Sequence, residues 1–169
     1  HVGIEAQHLL GCGDCWLCKQ GQCHICPIRG FRHWERQPSH GFSEYDVCVA
    51  ENCYPLPDHM SEDAAAILDC YACGAHALNR TPVDPTDTVV VLGTGAIGFT
   101  LGQLTKTYGA GRVVMVWTRH EQLKIAMEAG ATDLVVANPK HDPVEAVMEI
   151  TDGNGADSVF ETVGGSAPT

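Results

Sequence analysis

Between Gly11 and Cys26 the run GCGDCWLCKQGQCHIC carries five cysteines, Cys12, Cys15, Cys18, Cys23 and Cys26. The first thirty residues show no helical or strand periodicity beyond a few positions, so this segment reads as loops held by something other than a core. Cys12, Cys15, Cys18 and Cys26 form a C-x2-C-x2-C-x7-C pattern. Four thiolates in one short loop can converge tetrahedrally on Zn²⁺ and fill every coordination position, which defines a structural rather than a catalytic site. The glycines at 11, 13 and 21 let the backbone fold tightly round an ion. Cys23 does not fit the pattern and reads as a spectator thiol. An Fe–S cluster, or a coincidental set of buried thiols, is the competing reading.

Composition sets the context. The nine cysteines are odd in number and clustered, which suits a secreted disulfide framework poorly. A cytosolic metal site, and with it a cytoplasmic location, is the better expectation. At 44% hydrophobic and 18% charged, the 169 residues should bury a core and form one full domain or parts of two. A formal net charge of −11 argues against nucleic acid or an anionic membrane as partner, since both call for Lys and Arg. No apolar run approaches the length of a membrane span. The opening HVGIEAQHLL has neither a starting Met nor a basic-then-apolar signal pattern, so an internal stretch of a longer chain is expected.

Further along, GFSEYDVCVAENCYPL (41–56) has β-rich alternation and ends at prolines, predicting one or two short strands. Ser61 with Glu62 and Asp63 reads as an N-cap and acidic first turn. An Ala-rich helix follows, with a second apolar stretch running to about Arg80. The prolines and aspartates of RTPVDPTD mark a linker. Beyond it strands alternate with helices: TVVVL, FTLGQLTKTYGAG, RVVMVW, EQLKIAMEAG, DLVVA, PVEAVMEIT and DSVFETVGG. That alternation predicts a parallel sheet of right-handed βαβ units with four visible strands.

Gly93-Thr-Gly95-Ala-Ile-Gly98 is G-x-G-x-x-G, a weak signal alone, but here it follows a strand and opens a helix. Gly93 permits a tight turn, Gly95 lets the backbone approach a pyrophosphate, and Gly98 allows close helix–strand packing. The helix start at Ala96 and Ile97 favours phosphate charge. A tight turn without a ligand is the competing reading.

CGDCWLCKQGQCHIC resembles the structural-zinc lobe of the zinc-dependent medium-chain alcohol and polyol dehydrogenases. The later GFSEYDVCVAENCYPLPDHMSEDAAAILD, the glycine loop and GADSVFETVGG resemble that family in the same order. The resemblance covers nearly the whole chain. It implies an α/β fold: part of a Rossmann doubly wound parallel sheet over 69–169, preceded over 1–68 by part of a β-rich GroES-like catalytic domain. The zinc lobe would occupy about 8–30. Function follows as hydride transfer between an alcohol or polyol, or its carbonyl, and NAD(P). The intact protein would be a homo-oligomer acting on a small molecule.

The same resemblance implies a second, catalytic zinc, held by an upstream Cys, an upstream His followed by Glu, and a third ligand at the domain junction. In AILDCYACGAHAL, Asp69 stands where polyol and secondary-alcohol relatives carry an acid, seven residues before His76. Cys70 adjoins it as the rival ligand. Cys70 and Cys73 otherwise read as small buried helix residues, and His76 as a packed or interface histidine. The upstream ligands are absent from this chain, so an internal portion of an enzyme, inactive alone, is expected. The cofactor expectation is NADP, with NAD as alternative. NAD-binding folds of this type usually end the second strand with Asp or Glu, yet that position is Trp117, and no acid occurs from Phe99 to His120. Thr118 and Arg119 follow, where NADP-linked secondary-alcohol relatives carry a hydroxyl and an Arg for the 2′-phosphate. From another class, the chain could be a non-catalytic zinc and nucleotide module, or a redox sensor using Cys23, Cys70 or Cys73.

Overall fold

The computed structural model describes residues 1–4, 11–28, 44–45, 48, 50–118, 123–138 and 140–164. It divides into two units, His1–Ala65 and Ala66–Thr169, where the sequence reading divides the chain after residue 68. In the first unit, β1 (Val2–Ile4) pairs antiparallel with β2 (Cys53–Pro55), Ile4 opposite Cys53 and Val2 opposite Pro55. β2 ends at Pro55, with Pro57 two residues on, because proline cannot donate to a ladder. Six positions of the expected 41–56 strand region lie outside the described residues. The cysteine segment contains one helical turn, α1 (Trp16–Lys19), and a 3-10 turn at Cys23–Ile25. Neither has a buried residue among its members. The thiols, not apolar packing, are what this segment gathers.

Ser61 starts α2 (Glu62–Ala66) as its spacing predicts: its Oγ accepts from the Ala64 N–H at 3.2 Å. α3 (Leu68–Arg80) follows and is ended by the linker. There Asp84 Oδ1 accepts from both the N–H and the hydroxyl of Thr86, at 2.8 and 2.7 Å. These bonds hold the Asp84 carboxyl below its ordinary value.

The second unit is built on β3 (Thr88–Leu92), β4 (Arg112–Trp117), β5 (Asp133–Val136) and β6 (Ser158–Glu161), joined by α4 (Ala96–Thr107), α5 (Leu123–Glu128) and α6 (Pro143–Ile150). All pairings are parallel, in the order β5-β4-β3-β6. The period-2 geometry of strands sorts the valines into two cores. Val89, Val91, Val113, Met115 and Trp117 share one cluster with Leu78 of α3, Leu101 of α4 and Ala126 of α5. Val90, Val114, Val116 and Val135 form the other, against Ala146, Val147 and Ile150 of α6. Near-continuous apolar strands such as TVVVL are what a sheet covered on both faces requires. Asp142 caps α6 by accepting from Val144 N–H at 2.8 Å, with Pro143 in the first turn.

The strand order carries the functional consequence. From β3 the chain steps outward through β4 to β5, then returns through α6 to place β6 on the other side of β3. The direction reverses at β3, and such a switch point opens a crevice at the carboxyl ends of the strands. Among the described residues, no helix is long and apolar enough to cross a membrane.

Candidate metal centre and nucleotide-binding loop

The structure brings Cys12, Cys15, Cys18 and Cys26 together, with all four sulfurs within 4.8 Å of one another. Cys15 Sγ lies 3.5 Å from Cys18 Sγ and 3.9 Å from Cys26 Sγ. A tetrahedron with metal–sulfur bonds of about 2.3 Å has edges of about 3.8 Å, so the set fits one zinc-sized ion. A multi-iron cage would need its thiols spread wider than this. Cys23 is half-buried and lies outside the group.

Backbone amides add to the site. The Cys15 N–H donates to Cys12 Sγ at 3.2 Å, and the Cys12 N–H to Cys26 Sγ at 3.5 Å. N–H donors stabilise the anionic form of the acceptor. The amides of Cys15 and Asp14 accordingly lower Cys12 from its ordinary 9.0 to about 7. Cys26 is lowered as well, chiefly by the Cys12 amide. Burial pushes Cys18 the other way, up to about 12. So crowded a set cannot be fully ionised without a cation at its centre, and a divalent ion supplies that charge. Space is tight here too: a Cβ added to Gly11 would stand 2.2 Å from Cys18 Sγ. Gly13 and Gly21 turn the chain on either side of α1 with φ of +78° and +76°.

The glycine loop divides its labour unequally. Gly93 has φ +102°, which favours glycine outright, and a Cβ there would meet Thr162 Oγ1 at 2.7 Å. Its N–H donates to Val116 O at 2.8 Å, tying the loop to β4. A Cβ at Gly98 would lie 2.2 Å from the Gly93 carbonyl oxygen. Gly98 thus admits the helix against the turn itself, a closer partner than the strand expected. Gly95 differs from both. Its φ is −79°, open to any residue, and among the described residues nothing lies within 4 Å of an added Cβ. Neither conformation nor packing asks for glycine there; an approaching ligand would. Gly95, Ala96 and Ile97 are exposed, and the N-cap residue of α4, Gly95, has no side chain to offer its amides. First-turn amides of a helix have no partner within it and suit a phosphate.

Thr162 is a positioning residue that the sequence reading passed over. Its hydroxyl donates to Leu92 O at 2.8 Å while it sits against Gly93, so the end of β6 braces the end of β3. The brace is seventy positions away in sequence. Only the resemblance of the segment GADSVFETVGG to the family hinted at a role.

Trp117 ends β4 buried in the core, 4% exposed, and its indole N–H has no partner among the described residues. Thr118 beside it is exposed, and Arg119 lies outside the described residues. Asp69 is exposed in the first turn of α3. Among the described residues, it does not gather with two further metal-type side chains. Burial raises the neighbouring Cys70 thiol, and the Asp69 carboxylate adds to that rise.

Residues 96–168 match the family described as zinc-binding dehydrogenase. Among curated relatives, D-arabitol-phosphate dehydrogenase of Enterococcus avium is 34% identical over 90% of this chain and 43% of its own length. Sorbitol dehydrogenase of Bacillus subtilis is 30% identical over 92% of this chain and 44% of its own. A solved oxidoreductase/dehydrogenase of unknown specificity from Escherichia coli superposes with a TM-score of 0.76, at 28% identity over 92% of this chain and 45% of that one. Along most of its length the chain is thus similar to zinc-type alcohol and polyol dehydrogenases. It spans less than half the length of the curated relatives it matches.

Proposed function

We propose that the intact protein is a zinc-dependent, NAD(P)-linked dehydrogenase of alcohols or polyols, and that this chain supplies its structural-metal lobe and the cofactor's phosphate cradle. The observation that carries this reading is Gly95. It is a glycine with an ordinary backbone and open space, at a helix start beside the point where strand order reverses. Cys12, Cys15, Cys18 and Cys26 hold one zinc with no open position, and its role is to fold the lobe. The relatives are named as dehydrogenases of sugar alcohols and their phosphates, which disfavours a non-catalytic binding module.

The α4 amides from Ala96 onward, with Gly93, Gly95 and Gly98 shaping the turn, bind the pyrophosphate. Asp69 is the ligand that this chain contributes to the catalytic zinc. Its carboxylate is a hard oxygen donor, whereas Cys70 is held protonated by burial and by Asp69 itself. That metal, when bound, supplies Lewis acidity at the alcohol oxygen. Thr118 and Arg119 read the 2′-phosphate of NADP. Trp117, buried in the core, stands where NAD-binding folds of this type usually end the strand with an acid, which favours NADP. A small-molecule alcohol or carbonyl, a homo-oligomeric assembly and a cytoplasmic location complete the reading.

The test is a cofactor and substrate assay on the intact protein and its Arg119→Ala variant. Nicotinamide reduction with a polyol or secondary alcohol is expected, faster and at lower concentration with NADP. One charge-assisted hydrogen bond is worth about 1.5–3 kcal/mol, so the variant should bind NADP about ten- to a hundredfold more weakly. No nicotinamide reduction with any alcohol overturns the activity; tighter binding of NAD, or unchanged NADP affinity in the variant, overturns the cofactor choice.

A further inference from the structure

A second sulfur–sulfur contact lies outside the four-cysteine group. Cys48 Sγ and Cys53 Sγ stand 3.3 Å apart, both residues half-buried. Cys53 is the first residue of β2, where it pairs with Ile4 of β1. Cys48 reaches it across the 3-10 turn Ala50–Asn52, which folds the chain back on itself. Neither sulfur belongs to the metal cluster. A disulfide needs about 2.05 Å between sulfurs. Closing the present gap takes only slight rotation of two side chains that already face one another. We propose that Cys48 and Cys53 form a reversible dithiol–disulfide couple, a redox modification site separate from the zinc lobe and independent of the dehydrogenase reading.

The oxidant is a small-molecule disulfide, with glutathione disulfide as the probe. One cysteine, as its thiolate, attacks a sulfur of glutathione disulfide and expels a glutathione thiolate, leaving a mixed disulfide on the protein. The second cysteine gives its proton to water, attacks the protein-bound sulfur and expels the second glutathione. Two protein thiols are oxidised to one disulfide, and one glutathione disulfide is reduced to two glutathiones. The second step is fast because the attacking sulfur is already at hand. An isolated cysteine stops at the mixed disulfide. Among the described residues, Cys23, Cys70 and Cys73, the redox candidates suggested by sequence, show no sulfur–sulfur contact like that of Cys48 with Cys53. Once formed, the bond closes a loop over Ala50–Asn52 and fixes the entry to β2.

The experiment uses the intact, zinc-loaded protein treated with glutathione disulfide, quenched in acid and digested with chymotrypsin. Proline follows both Tyr54 and Leu56 and blocks cleavage there, so cuts after Tyr45 and Leu68 release residues 46–68, which contain both cysteines and no others. The expected product is this segment lighter by two hydrogens, free of glutathione and restored by a thiol reductant. Cys48→Ser should instead retain one glutathione on Cys53, and Cys53→Ser one on Cys48. The proposal is overturned if the wild-type segment keeps a glutathione adduct. It is equally overturned if the segment stays fully alkylatable while the exposed Cys73 has become glutathionylated, or if the disulfide forms only after zinc has left.

Discussion

The α-carbon of Gly98 faces the carbonyl of Gly93 so closely that a methyl group there would sit 2.2 Å from the oxygen. Gly95, between them in sequence, faces open space. The motif therefore separates into two glycines that packing requires and one that neither conformation nor packing requires. Gly98→Ala should lose about 1–3 kcal/mol of stability through forced overpacking. Gly95→Ala should melt as the wild type does, yet bind the nicotinamide cofactor at least about tenfold more weakly, a difference of about 1.4 kcal/mol. Thermal unfolding and cofactor titration of the two variants separate the roles. Equal loss of stability in both would refute the division.

The lobe makes a second prediction. Structural zinc supplies about 10–16 kcal/mol of apparent binding energy in small zinc-folded peptides. A segment with no buried residue in its helical turns depends on that energy. Cys18→Ser should lose the lobe zinc. Gly11→Ala should lose it too, because its Cβ would stand 2.2 Å from Cys18 Sγ. Cys23→Ser should keep it. Metal analysis of the three purified proteins decides the matter, and zinc loss in Cys23→Ser to the same degree as in Cys18→Ser would remove the assignment.

Acidity gives a third. Cys12 is lowered from 9.0 to about 7, so its thiolate is favoured by the fold: that contribution is present above pH 9 and lost as pH falls through about 7. Cys18, raised to about 12, is favoured as the thiol: its contribution is full below pH 9 and lost as pH rises through about 12. Zinc must displace the Cys18 proton at any ordinary pH, but the Cys12 proton only in acid. Proton release on zinc binding should thus increase, and affinity fall more steeply, as pH drops from about 8 to about 6. Titration calorimetry in buffers of different ionisation enthalpy counts the protons. A count that stays flat across this range contradicts the ordering of the two thiols.

The fourth concerns Asp69 and Cys70. In the intact enzyme Asp69→Ala should lower kcat/KM by at least about a hundredfold, roughly the 2.7 kcal/mol that two decades represent, while leaving lobe zinc in place. Cys70→Ala should be mild. Zinc content and activity are read together. Removal of the second zinc by Cys70→Ala, but not by Asp69→Ala, would shift the ligand by one residue.

What could be read from sequence was what neighbouring residues settle among themselves. The lobe was legible because four ligands within fifteen positions must meet if they meet at all. Ser61 and the βαβ alternation were legible because caps and periodicities are short-range. The glycine motif was legible as a loop, but not as three different glycines, since Gly93 and Gly98 differ from Gly95 only in what tertiary neighbours stand beside them.

Tertiary structure decided the rest, and the reason is the same each time: the partners are distant in sequence or their facing depends on strand register. The run RVVMVW does not say which of its faces Trp117 takes; pairing of β4 between β3 and β5 sends it into the core. Nothing in TVVVL or SVFE says that β6 returns beside β3, yet that adjacency puts Thr162 under the glycine loop and creates the strand-order reversal at its mouth. Cys48 and Cys53 look like two stray thiols among nine until a 3-10 turn folds one onto the other. Sequence alone determined the chemistry available to this protein, because side chains and their local spacing carry it; the packed fold decided which groups meet, because burial and strand pairing act across the whole chain at once.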